Sequence, residues 1–269
     1  MSKPTSSSFD LDRPYPVSSN QITTFRKKGH VKLENLVNGP ELAIFRPLIK
    51  QAVKQYNQEV RPLKERDTFG QAFLQTINLW RKHESIKRFV TAKRFGKIAA
   101  DLLGVNRVRL YLDQSFFKEA GGGPTPWHQD NHYMIELDPD KKVTMWMPLV
   151  DIPESLGSLS FVSSSHQQKE ITLKKALKNN LHIENYGKMN AGDATFHEGW
   201  ILHSANRNPL PIDREVMTIT YYADPAKIVD PGDNEARQTH LGTYFPNRRV
   251  GDFADTWLNP LIYDRDTDG

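Results

Sequence analysis

The chain contains no cysteine in its 269 residues. That excludes disulfides, thiolate metal sites and a cysteine nucleophile, so any bound metal must be held by nitrogen or oxygen ligands. Long hydrophobic runs are missing too. No window approaches the roughly 18 consecutive apolar residues of a membrane span. The first stretch, "MSKPTSSSFDLDRPYPVSSN", lacks the apolar segment of a secretory signal. The expectation is a flexible tail over residues 1–20, a cytoplasmic location and no membrane partner. A strong charge of one sign is absent as well: 36 basic side chains face 32 acidic ones, for a formal charge of +4 and a pI near 9.1. Such a slight bias does not argue for nucleic acid, but it permits an anionic small molecule. There is no internal repeat and no phosphate loop. "AGGGP" (120–124) is not followed by Lys-Ser/Thr or by a helix to receive an anion, and it reads as a flexible turn near a site entrance.

What is present suffices for one folded domain over residues 21–269, since 38% of the chain is hydrophobic. Leu42, Phe45, Ile49, Val53 and Tyr56 recur at helical spacing after "NGP", predicting a helix from about Asn38 to Tyr56 with Pro47 delaying or kinking it. A second helical region is expected from Phe69 to Leu103, broken near His83. Beyond Gly104 the period becomes two: Val108, Leu110 and Leu112 alternate, as do Val143, Met145, Met147 and Leu149. Shorter strands are expected at 158–162, 193–198 and 216–223. Helices first (about 38–103), strands afterwards (about 105–224) and an extension (225–269) predict an α+β chain with an antiparallel jelly-roll core. The basic run "RKHESIKRFVTAKRFGK" (81–97) is the wet side of a helix, with phosphate attraction as the other reading.

"TPWHQDNH" (125–132) is dense in metal-ligating groups. In a strand His128, Asp130 and His132 share a face, but His128 and His132 lie roughly 13 Å apart, too far for one ion. In a helix the two histidines meet and Asp130 turns away. The glycines and prolines of "EAGGGPTP" oppose a helix, which leaves His128 and Asp130 as the working pair and requires a distant third ligand. His166, His182, His197, His203 and His240 are all available, and spacing does not choose among them.

The pieces "PTPWHQD" (124–130), "VTMWMPLVD" (143–151), "GSLSFVSSSH" (157–166), "AGDATFHEGWILHSANRN" (191–208) and "DREVMTITYY" (213–222) occur in that order. Together they resemble the iron(II)- and 2-oxoglutarate-dependent oxygenases of the phytanoyl-CoA dioxygenase family, which includes ectoine hydroxylases. The resemblance implies a double-stranded β-helix (cupin-like jelly roll) with helices packed on one sheet. It implies Fe(II) on His128, Asp130 and His203, with O2 and 2-oxoglutarate consumed and succinate and CO2 released as a small organic molecule is oxidised. Arg214 falls on the arginine for the remote carboxylate of 2-oxoglutarate, Trp146 on a cosubstrate-contacting tryptophan, and Ala205 where the family often has serine, with Ser204 beside it. Gln114 is expected to face the cosubstrate. Two imidazoles and one carboxylate leave open positions on Fe(II), and a guanidinium can grip a carboxylate through two parallel bonds. Because Asp130 is a carboxylate rather than a small residue, hydroxylation is favoured over halogenation. Trp127, Asn131, His132, Tyr133, Trp200 and Tyr222 are the substrate-contact candidates. His197 is expected to be a strand residue satisfied by a backbone carbonyl, and His166 a turn residue. The rival expectations are a catalytically silent ligand-binding barrel and a zinc-dependent hydrolase or isomerase using the same three side chains.

Overall fold

A computed structural model describes residues 11–268, so half of the expected tail lies outside the described residues. The other half is packed: Leu11 is buried in the main core, and Ser18 opens α1 (Ser19–Lys28) in a reciprocal capping box with Gln21. Gly29 ends this helix at φ 83° and delivers the chain to β1 (His30–Leu33). A side chain there would strike the ring of His166.

Helix α2 (Gly39–Tyr56) begins where the sequence predicts, with Asn38 and Glu41 in a second capping box and Pro40 in the first turn. Pro47 neither delays nor divides it. That residue is exposed, so water can meet the carbonyl whose partner the proline removes. Glu41 turns inward to Arg94 at 2.8 Å. The region expected to be helical from Phe69 resolves into α3 (Thr68–Ala72), β2 (Leu74–Ile77), a 3-10 turn at Leu79–Arg81, α4 (Glu84–Val90) capped by His83, and α5 (Lys93–Leu103). The break near His83 is found, and β2 is a correction: Leu74–Ile77 pairs antiparallel with a long neighbouring strand, so tertiary pairing overrides helical spacing.

That neighbour is β3 (Arg107–Phe117), followed by β4 (Thr125–His128), β5 (Leu137–Asp138), β6 (Lys142–Pro148), β7 (Leu159–Val162), α6 (Leu173–Lys178), β8 (Ile183–Asn185), β9 (Ala194–Glu198), β10 (His203–Ala205), β11 (Val216–Asp224), β12 (Lys227–Ile228), α7 (Glu235–Tyr244), β13 (Leu261–Asp264) and α8 (Arg265–Asp268). The large sheet runs β1-β9-β6-β11-β3-β13, with β2 also on β3; the smaller one runs β4-β10-β7-β8. Strand alternation assigns the faces. Val143, Met145, Met147, Met217, Ile219 and Phe196 join residues of α2, α4 and α5 in one core, while Trp146 packs with Leu159, Phe161 and Ala205 of the small sheet. Both faces of β6 are covered, and every position in it is buried. This is the expected jelly-roll sandwich, with the helices on the outer face of the large sheet. Among the described residues no helix is long and apolar enough to cross a membrane.

Candidate active site

His128 ends β4 and His203 begins β10, and the two are direct partners across the antiparallel pair. Their rings therefore stand side by side, with centroids 4.2 Å apart. Asp130 follows in a short 3-10 turn, Asp130–His132, which swings its carboxylate back between the rings. Its Oδ1 lies 3.5 Å from Nε2 of His128 and 3.7 Å from Nε2 of His203. One ligand atom from each of the three residues falls within a common 4.8 Å.

The protonation of the rings follows from their hydrogen bonds. His128 Nδ1 is 2.9 Å from the Pro126 carbonyl and His203 Nδ1 is 3.0 Å from the Ile201 carbonyl. A carbonyl only accepts, so each Nδ1 carries a hydrogen, and each Nε2, directed toward Asp130, is the atom that can give a lone pair to a metal once deprotonated. Burial, followed by the charge of His128, holds His203 well below the usual imidazole range. For Asp130 burial works upward, but His203, His128 and His197 hold the carboxyl well below its usual range. For His128 burial works downward and Asp130 outweighs it, raising the ring. An ionised carboxylate beside two imidazole Nε2 atoms, with orientations locked by backbone acceptors, is the donor set that a divalent transition metal requires.

The inner face of the large sheet supports this cluster from the other side. Leu112, Thr220, Thr144 and His197 form one cross-strand row. Thr144 Oγ1 donates to Asp130 Oδ2 at 3.2 Å, and His197 Nε2 is 3.4 Å from the same oxygen. His197 is thus a correction: neither of its ring nitrogens has a backbone carbonyl or other hydrogen-bond partner, and it faces the carboxylate. Sequence reasoning missed Thr144 and His197 as a pair. The available signal was polar residues at inward positions of two buried strands.

The next row is Gln114, Thr218, Trp146 and Thr195. Gln114, Trp146 and Arg214 line the same cavity as the three ligand candidates, together with Ser204 and Ala205. Arg214 is buried, stacks 5.4 Å over Trp146, and has no partner for Nε or Nη1. Burial pushes its guanidinium down to about 10, so it is still charged at neutral pH. Its backbone neighbour Lys118 is pushed down to about 7 by burial and then by Arg214. A buried guanidinium with free donors needs an anion.

The substrate-contact candidates divide. Trp127 and Tyr133 line a larger cavity that opens from His128 and Asp130. His132 lines an outer groove with Glu170. The structure does not bring Asn131, Trp200 or Tyr222 to either cavity beside the triad. Asn131 is packed under Gly199, Trp200 donates to Asp140 at 2.7 Å, and the buried Tyr222 hydroxyl donates to the Ala254 carbonyl. His166 sits in a turn, as expected, and His182 is exposed. His240 belongs to α7 and lines the larger cavity.

Solved structures share this architecture. The non-heme alpha-ketoglutarate-dependent carbocyclase SnoK from nogalamycin biosynthesis aligns with a TM-score of 0.76 at 22% identity, over 93% of this chain and 99% of that one. The epimerase SnoN from the same biosynthesis gives 0.75 at 22% identity, over 90% and 97%. EctD from S. alaskensis with 2-oxoglutarate and 5-hydroxyectoine gives 0.69 at 18% identity, over 90% and 87%. No curated protein matches in sequence. The family model described as phytanoyl-CoA dioxygenase (PhyH) matches residues 25–215, a span holding the His-Asp-His cluster, Arg214 and, apart from Thr218 and Thr220, the two cross-strand rows. The chain belongs to the phytanoyl-CoA dioxygenase family.

Proposed function

We propose that this protein is an Fe(II)- and 2-oxoglutarate-dependent dioxygenase that hydroxylates, or otherwise oxidises, a small organic molecule. In this reading His128, Asp130 and His203 hold iron and Arg214 receives the remote carboxylate of 2-oxoglutarate. The observation that carries it is the convergence of two Nε2 atoms and one carboxylate in a cavity shared with a buried guanidinium whose Nε and Nη1 have no partner. Iron bound there supplies the coupling of oxidative decarboxylation of 2-oxoglutarate by O2, yielding succinate and CO2, to oxidation of the substrate. The chain's own share is placement. Pro126 and Ile201 fix the imidazoles, Thr144 and His197 hold Asp130, and Arg214 with Trp146 and Gln114 orients the cosubstrate. Asp130 keeps its position filled by a carboxylate, which favours hydroxylation over halogenation. SnoK and SnoN are a carbocyclase and an epimerase by name, so outcomes other than hydroxylation belong within the proposal.

Zinc hydrolysis would use the same three ligands. It has no use for the unpartnered Arg214. Metal analysis of anaerobically purified protein, with absorption spectra taken with Fe(II) and with and without 2-oxoglutarate, separates the readings. The expected result is a visible charge-transfer band that requires both iron and 2-oxoglutarate and is lost in Arg214→Leu. Recovery of stoichiometric zinc with no band would overturn the proposal.

A further inference from the structure

The larger cavity has a volume of about 530 Å3, inside the range of about 300–1,000 Å3 typical of small-molecule pockets. It reaches from His128 and Asp130 outward between β3, the α3–β2 segment and α7. Rings and aliphatic groups dominate its wall, among them Phe73, Phe116, Trp127, Tyr133 and Tyr244, and no lysine, arginine or glutamate lines it. The amides of Gln75 and Gln114 bond to each other. Apart from the ligand candidates, no charged side chain waits for a charged substrate group, and burying an unpaired charge costs several kcal/mol. The basic residues nearby are engaged elsewhere: Arg81 lies over Trp257, Lys82 over Tyr56, and Lys87 beside Glu84.

One wall group has a defined polarity. The buried Tyr111 hydroxyl accepts from the Ile135 N–H at 3.1 Å and lies 3.0 Å from His240 Nδ1. No other acceptor serves its hydrogen among the described residues, so Tyr111 donates to Nδ1. Burial pushes the His240 ring down to about 4, leaving it neutral, and the remaining hydrogen must then sit on Nε2. That nitrogen has no partner among the described residues, on a ring that lines the cavity.

We propose that this chamber receives an uncharged, ring-bearing, largely apolar molecule carrying an oxygen acceptor, and that His240 Nε2–H donates to that oxygen. The chemistry performed on the molecule rests on the oxygenase reading; the chamber's selectivity does not.

Binding is followed by quenching of tryptophan fluorescence, both in protein loaded anaerobically with Fe(II) and 2-oxoglutarate and in apoprotein. The probes are progesterone and flavone as neutral ring compounds, betaine as a zwitterion and palmitoyl-CoA as an anionic thioester. The neutral probes should bind at micromolar concentration in both forms, and the other two at least ten-fold more weakly. His240→Phe should weaken progesterone binding about ten-fold, and His240→Gln, which restores an N–H donor, should recover most of it. Ala236→Trp, which fills the chamber from α7, should abolish neutral binding while the iron/2-oxoglutarate band persists. Preference for betaine or palmitoyl-CoA, or unchanged progesterone affinity in both His240→Phe and Ala236→Trp, overturns the chamber proposal. A missing band with neutral binding intact overturns the oxygenase reading and supports the chamber.

Discussion

The two oxygens of Asp130 face different neighbours, and each makes its own prediction. Oδ1 looks toward both histidine Nε2 atoms; removing the whole carboxylate in Asp130→Gly should lower succinate-coupled oxidation at least 100-fold, and undiminished turnover would remove Asp130 from the iron. Oδ2 accepts from Thr144 and faces His197 Nε2 at 3.4 Å. Loss of such supporting contacts typically costs about 10–100-fold in metal affinity, so His197→Phe should weaken Fe(II) binding by roughly that factor in an anaerobic titration, with the protein still folded by circular dichroism. Wild-type affinity in that variant would reduce His197 to packing. The cluster was partly legible in the sequence because His128 and Asp130 are close neighbours in a segment that cannot be helical. His203 was not reachable from spacing, because the register that pairs it with His128 is a property of the folded sheet. The motif resemblance selected it instead. Thr144 and His197 each stand out as an inward polar residue on a buried strand, but the row that joins them has no signature within any one strand.

Helix α2 shows how element boundaries can be readable while the interior misleads. Asn38, Pro40 and Glu41 specify its start, and the structure has that start. Pro47 argued for a break, yet the helix continues, because apolar positions Leu42, Phe45, Ile49 and Val53 are all anchored in the core on either side of the exposed proline. Packing there outweighs one missing hydrogen bond. The strain should still be measurable. Pro47→Ala restores an N–H donor and the best helix former, offset by greater freedom of the unfolded chain, for a net gain of about 1–2 kcal/mol. Chemical denaturation should show a higher midpoint at unchanged slope; a lower midpoint would mean that the proline is favoured in place. Strand β2 and helix α7 were less legible. The first has helical spacing and becomes a strand only by pairing with β3, and the second, "EARQTHLGTY", buries little besides Tyr244 and so has no clear apolar stripe to read.

Across the whole molecule, proton binding links the buried polar groups to stability. Burial, then Asp140, pushes Glu198 up to about 8 against the Trp200 N–H and the lysines Lys142 and Lys169. Burial pushes Asp113 up to about 7 against the N–H groups of Trp80 and Leu79. A carboxyl raised on folding stabilises fully below its unfolded value and loses that contribution as pH rises through its folded value. His30 and His240 run the other way: burial lowers both to about 4, so their contribution is present above about 6.5 and fades as pH falls toward 4. The two pairs oppose each other between about pH 4.5 and 6.5; above that the acids are opposed by Lys118, whose ammonium, pushed down to about 7 in the fold, favours folding as pH rises toward its unfolded value near 10.5. Metal-free protein should therefore lose the contribution of the two acids from pH 6.5 to 8.5. Glu198 alone supplies about 2 kcal/mol of that loss over the 1.5 units below its folded value, at about 1.4 kcal/mol per unit, equivalent to a few degrees in Tm. Glu198→Gln keeps an oxygen to accept the Trp200 N–H bond now made at 2.6 Å and cannot ionise. Its melting curve should stay flatter than that of the wild type as pH rises, so that the gap between the two moves in favour of the variant. Parallel curves across this window would mean that Glu198 is already ionised in the fold, and that Lys142 and Lys169 outweigh burial at the end of β9.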